Sequence, residues 1–233
     1  MVERIPMSPR ALAFAVAVSL GLAVGGPGLA QTAPPSADTL ARDLQRKYQL
    51  VQDFVAEFEH AYEGGVLRRK VVERGTVLVK KPGKMRWTYT SPEKKEFISD
   101  GRTMYTYFPE DKQVIVTAVP AADDASSPAL FLAGKGDIGR DFSPSAAEAP
   151  GLRGDEYALK LVPKQPQAEY DWLVIVVSRP GLELRRLITK DAQGGTSTFV
   201  FTRLRENVGL PDRAFAFTIP RGVDVISDDN KKH

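Results

Sequence analysis

The sequence predicts a mainly β protein, an antiparallel sandwich or barrel of about eleven short strands with two helices. Three observations support this fold class. Apolar and polar residues alternate through most of the chain, as at Met85, Trp87 and Tyr89, which is the period of a half-buried strand. Turn signals separate these alternating runs. The chain also lacks the strand–helix alternation that builds a parallel sheet.

An export signal is predicted at residues 1–30. A short basic start precedes the uncharged apolar stretch 11–24, and Gly28-Leu29-Ala30 supplies the small residues that a signal peptidase recognises. We expect cleavage after Ala30. The alternative is an uncleaved membrane anchor, although the apolar stretch is short for a spanning helix and rich in Ala and Gly.

The rest of the chain divides into a linker at 31–37, a domain at 38–226 and a polar tail at 227–233. An amphipathic helix of three to four turns is predicted at the start of the domain, because apolar residues recur there every three or four positions. These residues are Leu40, Leu44, Tyr48 and Val51.

Period two begins at Phe54, where the apolar side of the first strand also includes Phe58 and His60. A strand that is apolar on one side fits an antiparallel sheet with one covered face. The same reasoning predicts further strands at 75–81, 85–90, 97–99, 103–108, 113–119, 157–162, 172–177, 182–189, 196–204 and 215–219.

Two turns and a short helix complete the predicted elements. Lys81-Pro82-Gly83-Lys84 suits a type II turn, with Pro at the second position and Gly at the third. Ser99-Asp100-Gly101-Arg102 carries the Asp-Gly pair of a tight hairpin. Pro128–Ala133 (PALFLA) is typical of a short apolar helix with Pro in its first turn.

The composition excludes several chemistries. The 233 residues include no cysteine and two histidines, which excludes disulfides and thiol nucleophiles and disfavours a histidine-rich metal centre or a Ser–His–Asp triad. His60 is expected to be a buried, hydrogen-bonded histidine. The glycines of Gly134–Gly139 follow a helix rather than opening one, so nucleotide binding is not expected. We expect no catalytic residue, metal or cofactor, with an exported hydrolase as a minor alternative.

The net charge of +3 is unevenly distributed along the chain. Residues 68–95 form a basic segment, which contains ten Lys and Arg and two acidic residues. It is either the solvated outer face of a sheet or a surface for an acidic partner or anionic lipid. Nucleic acid is not expected as a partner of an exported protein. The apolar residues of the first strands leave a similar choice, because periodicity cannot distinguish an ordinary core from a ligand cavity. These residues are Phe54, Phe58, Val77, Val79, Met85, Trp87, Tyr105 and Tyr107.

Four segments together resemble the periplasmic outer-membrane lipoprotein carrier family (LolA-like). They are Leu78–Pro92 (LVKKPGKMRWTYTSP), Phe97–Gly101 (FISDG), Tyr105–Pro109 (YTYFP) and Phe215–Val223 (FAFTIPRGV). The resemblance extends over residues 38–226. The first two segments are the most specific, because a K-P-G turn, a W-x-Y strand and an S-D-G turn occur together.

The resemblance implies an unclosed antiparallel β-barrel of eleven strands, with the helix at 128–133 as a lid over an apolar cavity. It implies a monomeric carrier without cofactor or enzymatic activity, which receives acylated lipoproteins from an inner-membrane ABC transporter and passes them to an outer-membrane receptor. The alternative is a periplasmic carrier or sensor of another amphiphile, such as a free lipid or glycolipid.

The resemblance also suggests site residues. The lid latch is expected at Lys81, where the family typically has an arginine whose fork bonds lid carbonyls, whereas a lysine is a point donor. The residues expected to line the acyl cavity are Phe54, Phe58, Val77, Val79, Met85, Trp87, Tyr89, Leu130, Phe131 and Leu132.

Overall fold

The computed structural model describes residues 34–64, 70–119, 132–134 and 136–227. The fold is that of the unit that begins at Pro35. The predicted export signal lies outside the described residues, as do Leu130, Phe131 and nearly all of the predicted polar tail. In the described ranges, no helix is both long and apolar enough to span a membrane.

Two α-helices, one 3₁₀ turn and twelve strands make up the described part of the chain. The helices are α1 (Ala37–Leu50) and α2 (Ile138–Asp141), and the 3₁₀ turn is Asp212–Phe215. The strands are β1 (Asp53–Glu63), β2 (Lys70–Lys80), β3 (Lys84–Ser91), β4 (Lys95–Asp100), β5 (Thr103–Phe108), β6 (Gln113–Ala118), β7 (Phe142–Ala146), β8 (Glu156–Pro163), β9 (Trp172–Ser178), β10 (Leu184–Lys190), β11 (Thr196–Glu206) and β12 (Asp224–Ser227).

All twelve strands form one sheet in the order β12-β6-β5-β4-β3-β2-β1-β11-β10-β9-β8-β7. Neighbouring strands are antiparallel except β12 and β6, which are parallel. The two end strands, β12 and β7, do not pair with each other, so the sheet is unclosed. The predicted fold class is therefore confirmed, with twelve strands rather than about eleven.

Helix α1 covers the inner face of the sheet and confirms the predicted amphipathic helix. Ser36 caps its N-terminus, because the Ser36 hydroxyl accepts a hydrogen bond from the backbone N–H of Thr39 at 3.3 Å. Leu40, Ala41 and Leu44 are buried in the same apolar cluster as the inward-facing residues of the sheet. Tertiary burial of this stripe stabilises the helix.

The strand predicted at 215–219 is wrong. Phe215 ends the 3₁₀ turn and is buried, and residues 216–220 make no strand pairing. The segment instead lies flat on the outer face of the sheet, where the ring of Phe217 lies 5.2 Å from Tyr105 and 5.5 Å from Tyr107. Tyr105 and Tyr107 therefore contact this outer segment rather than the inner cluster.

A buried carboxylate fixes the turn that carries the chain from β11 to the outer face. Asp53, at the start of β1, is 5% exposed. Its two oxygens accept hydrogen bonds from the backbone N–H groups of Val208, Gly209 and Leu210 at 2.7, 3.0 and 3.0 Å. Three backbone donors around one carboxylate form charge-assisted bonds, which are stronger than neutral ones.

We expect Asp53→Asn to lower the free energy of unfolding by about 2 to 3 kcal/mol, because the amide removes the charge and aims its own NH₂ group at backbone donors. Urea denaturation measures the change. Asp43→Asn is the control: Asp43 pairs only with Arg46 at the surface of α1, so its effect should stay within about 0.5 kcal/mol. Equal denaturation midpoints for both variants would contradict the role of Asp53.

Candidate functional site

The inner face of the sheet brings together the described residues that the sequence predicts for the cavity. Each of them is 7% exposed or less, and all belong to one apolar cluster. Leu130 and Phe131 lie outside the described residues. The eight described residues are Phe54, Phe58, Val77, Val79, Met85, Trp87, Tyr89 and Leu132.

Strand register arranges these side chains in rows across the sheet. In the first row, Phe54 pairs with Val79 and Val79 with Met85. In the second, Val77 pairs with Trp87. Because alternate residues of a strand point to the same face, every paired residue in a row shares that face. The predicted parity of β1 and β3 is therefore sufficient to place this part of the cluster.

The sequence analysis missed two aromatic residues of the cluster, Phe199 and Phe201. Both lie on β11, with ring centroids 5.4 and 6.2 Å from Trp87. Phe58 approaches Trp87 to 5.1 Å and Tyr89 to 4.9 Å in edge-to-face contacts. Such pairs add stability beyond their buried area. The alternation of phenylalanines in β11 was the available signal.

Gly75 makes the aromatic packing possible, and the sequence analysis did not single it out. It pairs with Phe58 on one side and with Tyr89 on the other. A Cβ atom at Gly75 would lie 2.1 Å from the carbonyl oxygen of Thr88 and 2.8 Å from the ring of Phe58. Glycine is therefore the residue that lets the large rings meet over this strand.

The described residues pack closely at the end of the inner face beneath α1. A cavity of about 20 Å³ lies between α1 and the ends of the strands near Leu182 and Leu204. This volume holds about one water molecule. Lys47 and Glu206 form an ion pair at its edge. Its apolar lining includes Leu44, Val51, Phe54, Leu132, Ile138, Ile175, Val177 and Leu184.

Hydrogen bonds to Leu132 and Ala133 anchor the described residues of the covering segment, 132–134. The Tyr48 hydroxyl donates to the carbonyl oxygen of Leu132. The backbone N–H of Gly83 donates to the carbonyl oxygen of Ala133 at 2.9 Å. The side-chain oxygen of Gln45 accepts from the backbone N–H of Ile138 at 3.0 Å. The Tyr48 contact joins α1 to the covering segment, and the Gln45 contact joins α1 to α2.

Lys81 contacts helix α1. Its Nζ donates to the backbone carbonyl of Tyr48 and lies 3.7 Å from the centroid of the Tyr48 ring. Burial lowers the pKa of Lys81 to about 8, and the Glu206 carboxylate opposes the shift. Gly134 leaves room for the lysine stem, because a Cβ there would lie 2.8 Å from Lys81 Cγ.

A polar cluster occupies the other end of the inner face. Glu73, which is 8% exposed, accepts from Lys95 Nζ at 2.5 Å and lies 3.1 Å from His60 Nδ1. His60 Nε2 lies 3.2 Å from Ser197 Oγ, and its ring stacks on Phe199 at 4.1 Å. Burial lowers the pKa of His60, and the hydrogen bond with Glu73 opposes this shift.

The contacts of His60 agree with the expected hydrogen-bonded histidine. Ser197, His60 and Glu73 follow the order of a Ser–His–acid triad, but Ser197 lies inside β11 between β1 and β10. The backbone groups around Ser197 are therefore hydrogen-bonded to the two neighbouring strands. They do not provide the free donors that an oxyanion hole requires beside the nucleophile.

Most charges of the basic 68–95 segment are paired. Lys70 pairs with Glu63, Arg74 with Glu59, and Arg86 with Glu96. Lys80 and Lys84 share Asp212, and these two hydrogen bonds lower the pKa of Asp212 to about 2. Arg68 and Arg69 lie outside the described residues. These pairs favour a solvated outer sheet face over a uniform basic docking surface.

A single unclosed sheet whose apolar inner face is covered by one helix defines the class of fold to which the chain belongs. Within that class, the chain belongs to the family described as outer membrane lipoprotein carrier protein LolA, whose sequence model matches residues 49–218.

Two curated relatives show the same similarity, and one solved structure can be compared with the fold. An outer-membrane lipoprotein carrier protein of Chromobacterium violaceum is 35% identical over 158 residues, which cover 66% of this chain and 72% of that protein. The carrier protein of Nitrosomonas europaea is 31% identical over 156 residues, with the same coverage of 66% and 72%. The crystal structure of a LolA superfamily protein from Nitrosomonas europaea superposes with a TM-score of 0.44 at 15% identity, covering 79% of this chain and 99% of that one.

We expect Gly75→Ala to lower the free energy of unfolding by about 3 kcal/mol, because the new methyl group collides with a backbone oxygen that cannot move away. Thermal or urea denaturation measures the loss. Gly154→Ala is the matched control, since its Cβ would meet nothing within 4 Å. Similar stabilities for the two variants would show that the sheet accommodates a side chain at position 75.

Proposed function

We propose that this protein is a periplasmic carrier that encloses the acyl chains of lipoproteins and shuttles them from an inner-membrane ABC transporter to an outer-membrane acceptor. One observation carries the proposal: most of the inner face of the sheet is one apolar cluster, which is covered by a helix and a short segment rather than by a second sheet. Membership of the lipoprotein carrier family supports it.

The energetics of acyl chains explain why such an enclosure is needed. Three chains with roughly 45 methylenes would cost about 36 kcal/mol in water at about 0.8 kcal/mol per methylene. A cavity of about 20 Å³ cannot accept them. Loading therefore requires α1 and the segment around Leu132 to move away from the sheet.

The residues predicted from the sequence would then line the opened space. Their side chains are aliphatic or aromatic and include Met85, whose flexible thioether adapts to irregular shapes. Uptake needs energy from the donor, and release needs an acceptor that binds the chains more favourably, so the carrier itself performs no catalysis. The proposed lining is Phe54, Phe58, Val77, Val79, Met85, Trp87, Tyr89, Leu130, Phe131 and Leu132.

The remaining parts of the proposal concern location and control. Export would follow cleavage after Ala30, and the carrier would act as a monomer. Lys81 would be the latch, acting through Tyr48: Lys81 holds the Tyr48 backbone, and the Tyr48 hydroxyl holds the Leu132 carbonyl. Each such hydrogen bond contributes only about 1 kcal/mol, so binding of cargo could break the set.

The main test is co-purification of cargo from the periplasm, with mass spectrometry of what is bound. We expect acylated lipoproteins on the wild-type protein and at least tenfold less on Met85→Glu, because a carboxylate cannot be buried among acyl chains without a large desolvation cost. Circular dichroism checks that the variant folds. Thr90→Glu places the same charge on the exposed face of the same strand and should leave cargo unchanged.

The outcomes discriminate between the two carriers that the sequence left open. Free lipid alone on the wild-type protein would contradict lipoprotein carriage and favour the other amphiphile. Full cargo on a folded Met85→Glu would contradict the assignment of the inner face as the binding surface.

The latch predicts a pH dependence of loading. The pKa of Lys81 is about 8 in the closed protein and returns towards its ordinary value near 10.5 when the lysine is exposed. Between these values the closed form binds fewer protons, so raising the pH favours closure. We expect the uptake rate of a fluorescent fatty acid to fall a few-fold from pH 8 to 9.5. Glu206, which pairs with Lys47, and Tyr48 face Lys81, and Tyr48 remains protonated below its ordinary pKa of about 10.

Lys81→Met should lose the pH dependence of loading, because it removes the group that titrates. Lys84→Met is the matched control, because Lys84 pairs with Asp212 on the outer face. Retention of the wild-type pH profile by Lys81→Met would refute the latch.

A further inference from the structure

Trp87 presents an unusual buried donor. The residue is 4% exposed, and its indole Nε1 is, within the ranges that the structure describes, the one buried side-chain nitrogen or oxygen without a hydrogen-bond partner. A buried tryptophan N–H usually finds an acceptor. An unpaired donor in an apolar interior raises the free energy of the closed protein, so its position calls for an explanation.

The surroundings of Trp87 provide no strong acceptor. The rings of Phe58, Phe199 and Phe201 are its aromatic neighbours, at centroid distances of 5.1, 5.4 and 6.2 Å. A ring face accepts a hydrogen bond weakly, which is a second-order interaction. The donor is therefore available to any acceptor that enters the interior.

Trp87 also marks a boundary on the inner face. In the adjacent row, on the side of α1 and Leu132, lie Met85 and its neighbour Val79. In the opposite direction lies Tyr89, which pairs with Lys95 on β4, and Lys95 reaches the buried Glu73 carboxylate. The inner face thus has an apolar part and a polar end, and the free N–H stands between them.

An acylated glycerol has the same order of chemical groups: hydrocarbon chains, then carbonyl oxygens, then a polar head. We propose that the Trp87 indole N–H donates a hydrogen bond to an acyl carbonyl oxygen of the bound cargo, whose chains point towards Leu132 and whose polar head points towards Lys95 and Glu73. This inference rests on the proposed function. A hydrocarbon-lined cavity alone would select ligands by their apolar surface. The Trp87 donor adds a preference for ligands that carry acyl carbonyl groups.

The proposal separates two lipids of equal apolarity. A diester such as 1,2-dilauroylglycerol offers carbonyl oxygens, whereas its diether twin 1,2-didodecylglycerol offers only ether oxygens, which are poorer acceptors. Titrating both probes into the mature protein should give roughly 3- to 10-fold tighter binding of the diester, the range expected for one hydrogen bond.

Trp87→Phe keeps an aromatic ring but removes the donor. It should abolish the preference, so that the diester and the diether bind Trp87→Phe with equal affinity. Trp172→Phe is the matched control, because Trp172 is the second of the two tryptophans and packs in a separate apolar cluster. This variant should keep the wild-type preference.

A second measurement is independent of how well Trp87→Phe folds. With two tryptophans in the chain, the ¹⁵N–¹H signal of Trp87 remains alone in the indole region of Trp172→Phe. Diester binding should move it downfield, and diether binding should not. Equal affinity of the wild-type protein for both probes, or equal shifts, would overturn this inference alone. Binding of neither probe would overturn it together with the proposed function.

Discussion

The structure depends on the register of β1 against its two neighbours. This eleven-residue strand pairs along its length with β2 and with β11. A slip of one residue would turn Phe54 and Phe58 outward and their charged neighbours inward, so the hydrophobic effect fixes the register strongly. Asp53 fixes the beginning of the strand, because its carboxylate binds three backbone N–H groups of the segment that follows β11.

The cover and the sheet are held by different kinds of interaction. Each strand is joined to its neighbours by a ladder of backbone hydrogen bonds. In its described residues, 132–134, the covering segment accepts hydrogen bonds from the Tyr48 hydroxyl of α1 and from the backbone N–H of Gly83. Loss of these contacts would leave the ladder intact, which is the separation of cover and sheet that the proposed loading needs.

Period-two patterning predicted most of the strands and the inner face of β1 and β3, because side-chain direction follows parity without knowledge of the fold. It failed where alternation has another cause. Residues 215–219 alternate because they pack flat on the outer face through Phe215 and Phe217. Strands β7 and β12 escaped prediction because β7 contains Pro144 and β12 has four residues. Lys81 binds the Tyr48 backbone, and the Tyr48 hydroxyl binds the Leu132 carbonyl. These contacts join residues far apart in sequence, so no local pattern could indicate them.

The lysine at position 81 fits the site that the structure builds around it. Its acceptors are one backbone carbonyl and the face of one ring, which a single ammonium group can satisfy together, whereas a guanidinium fork has five donors to place. Arginine also remains charged at any physiological pH. Lysine can lose its proton when burial lowers its pKa, as it does here. In the proposed latch, a half-buried point donor would therefore bind Tyr48 without enclosing a permanent charge.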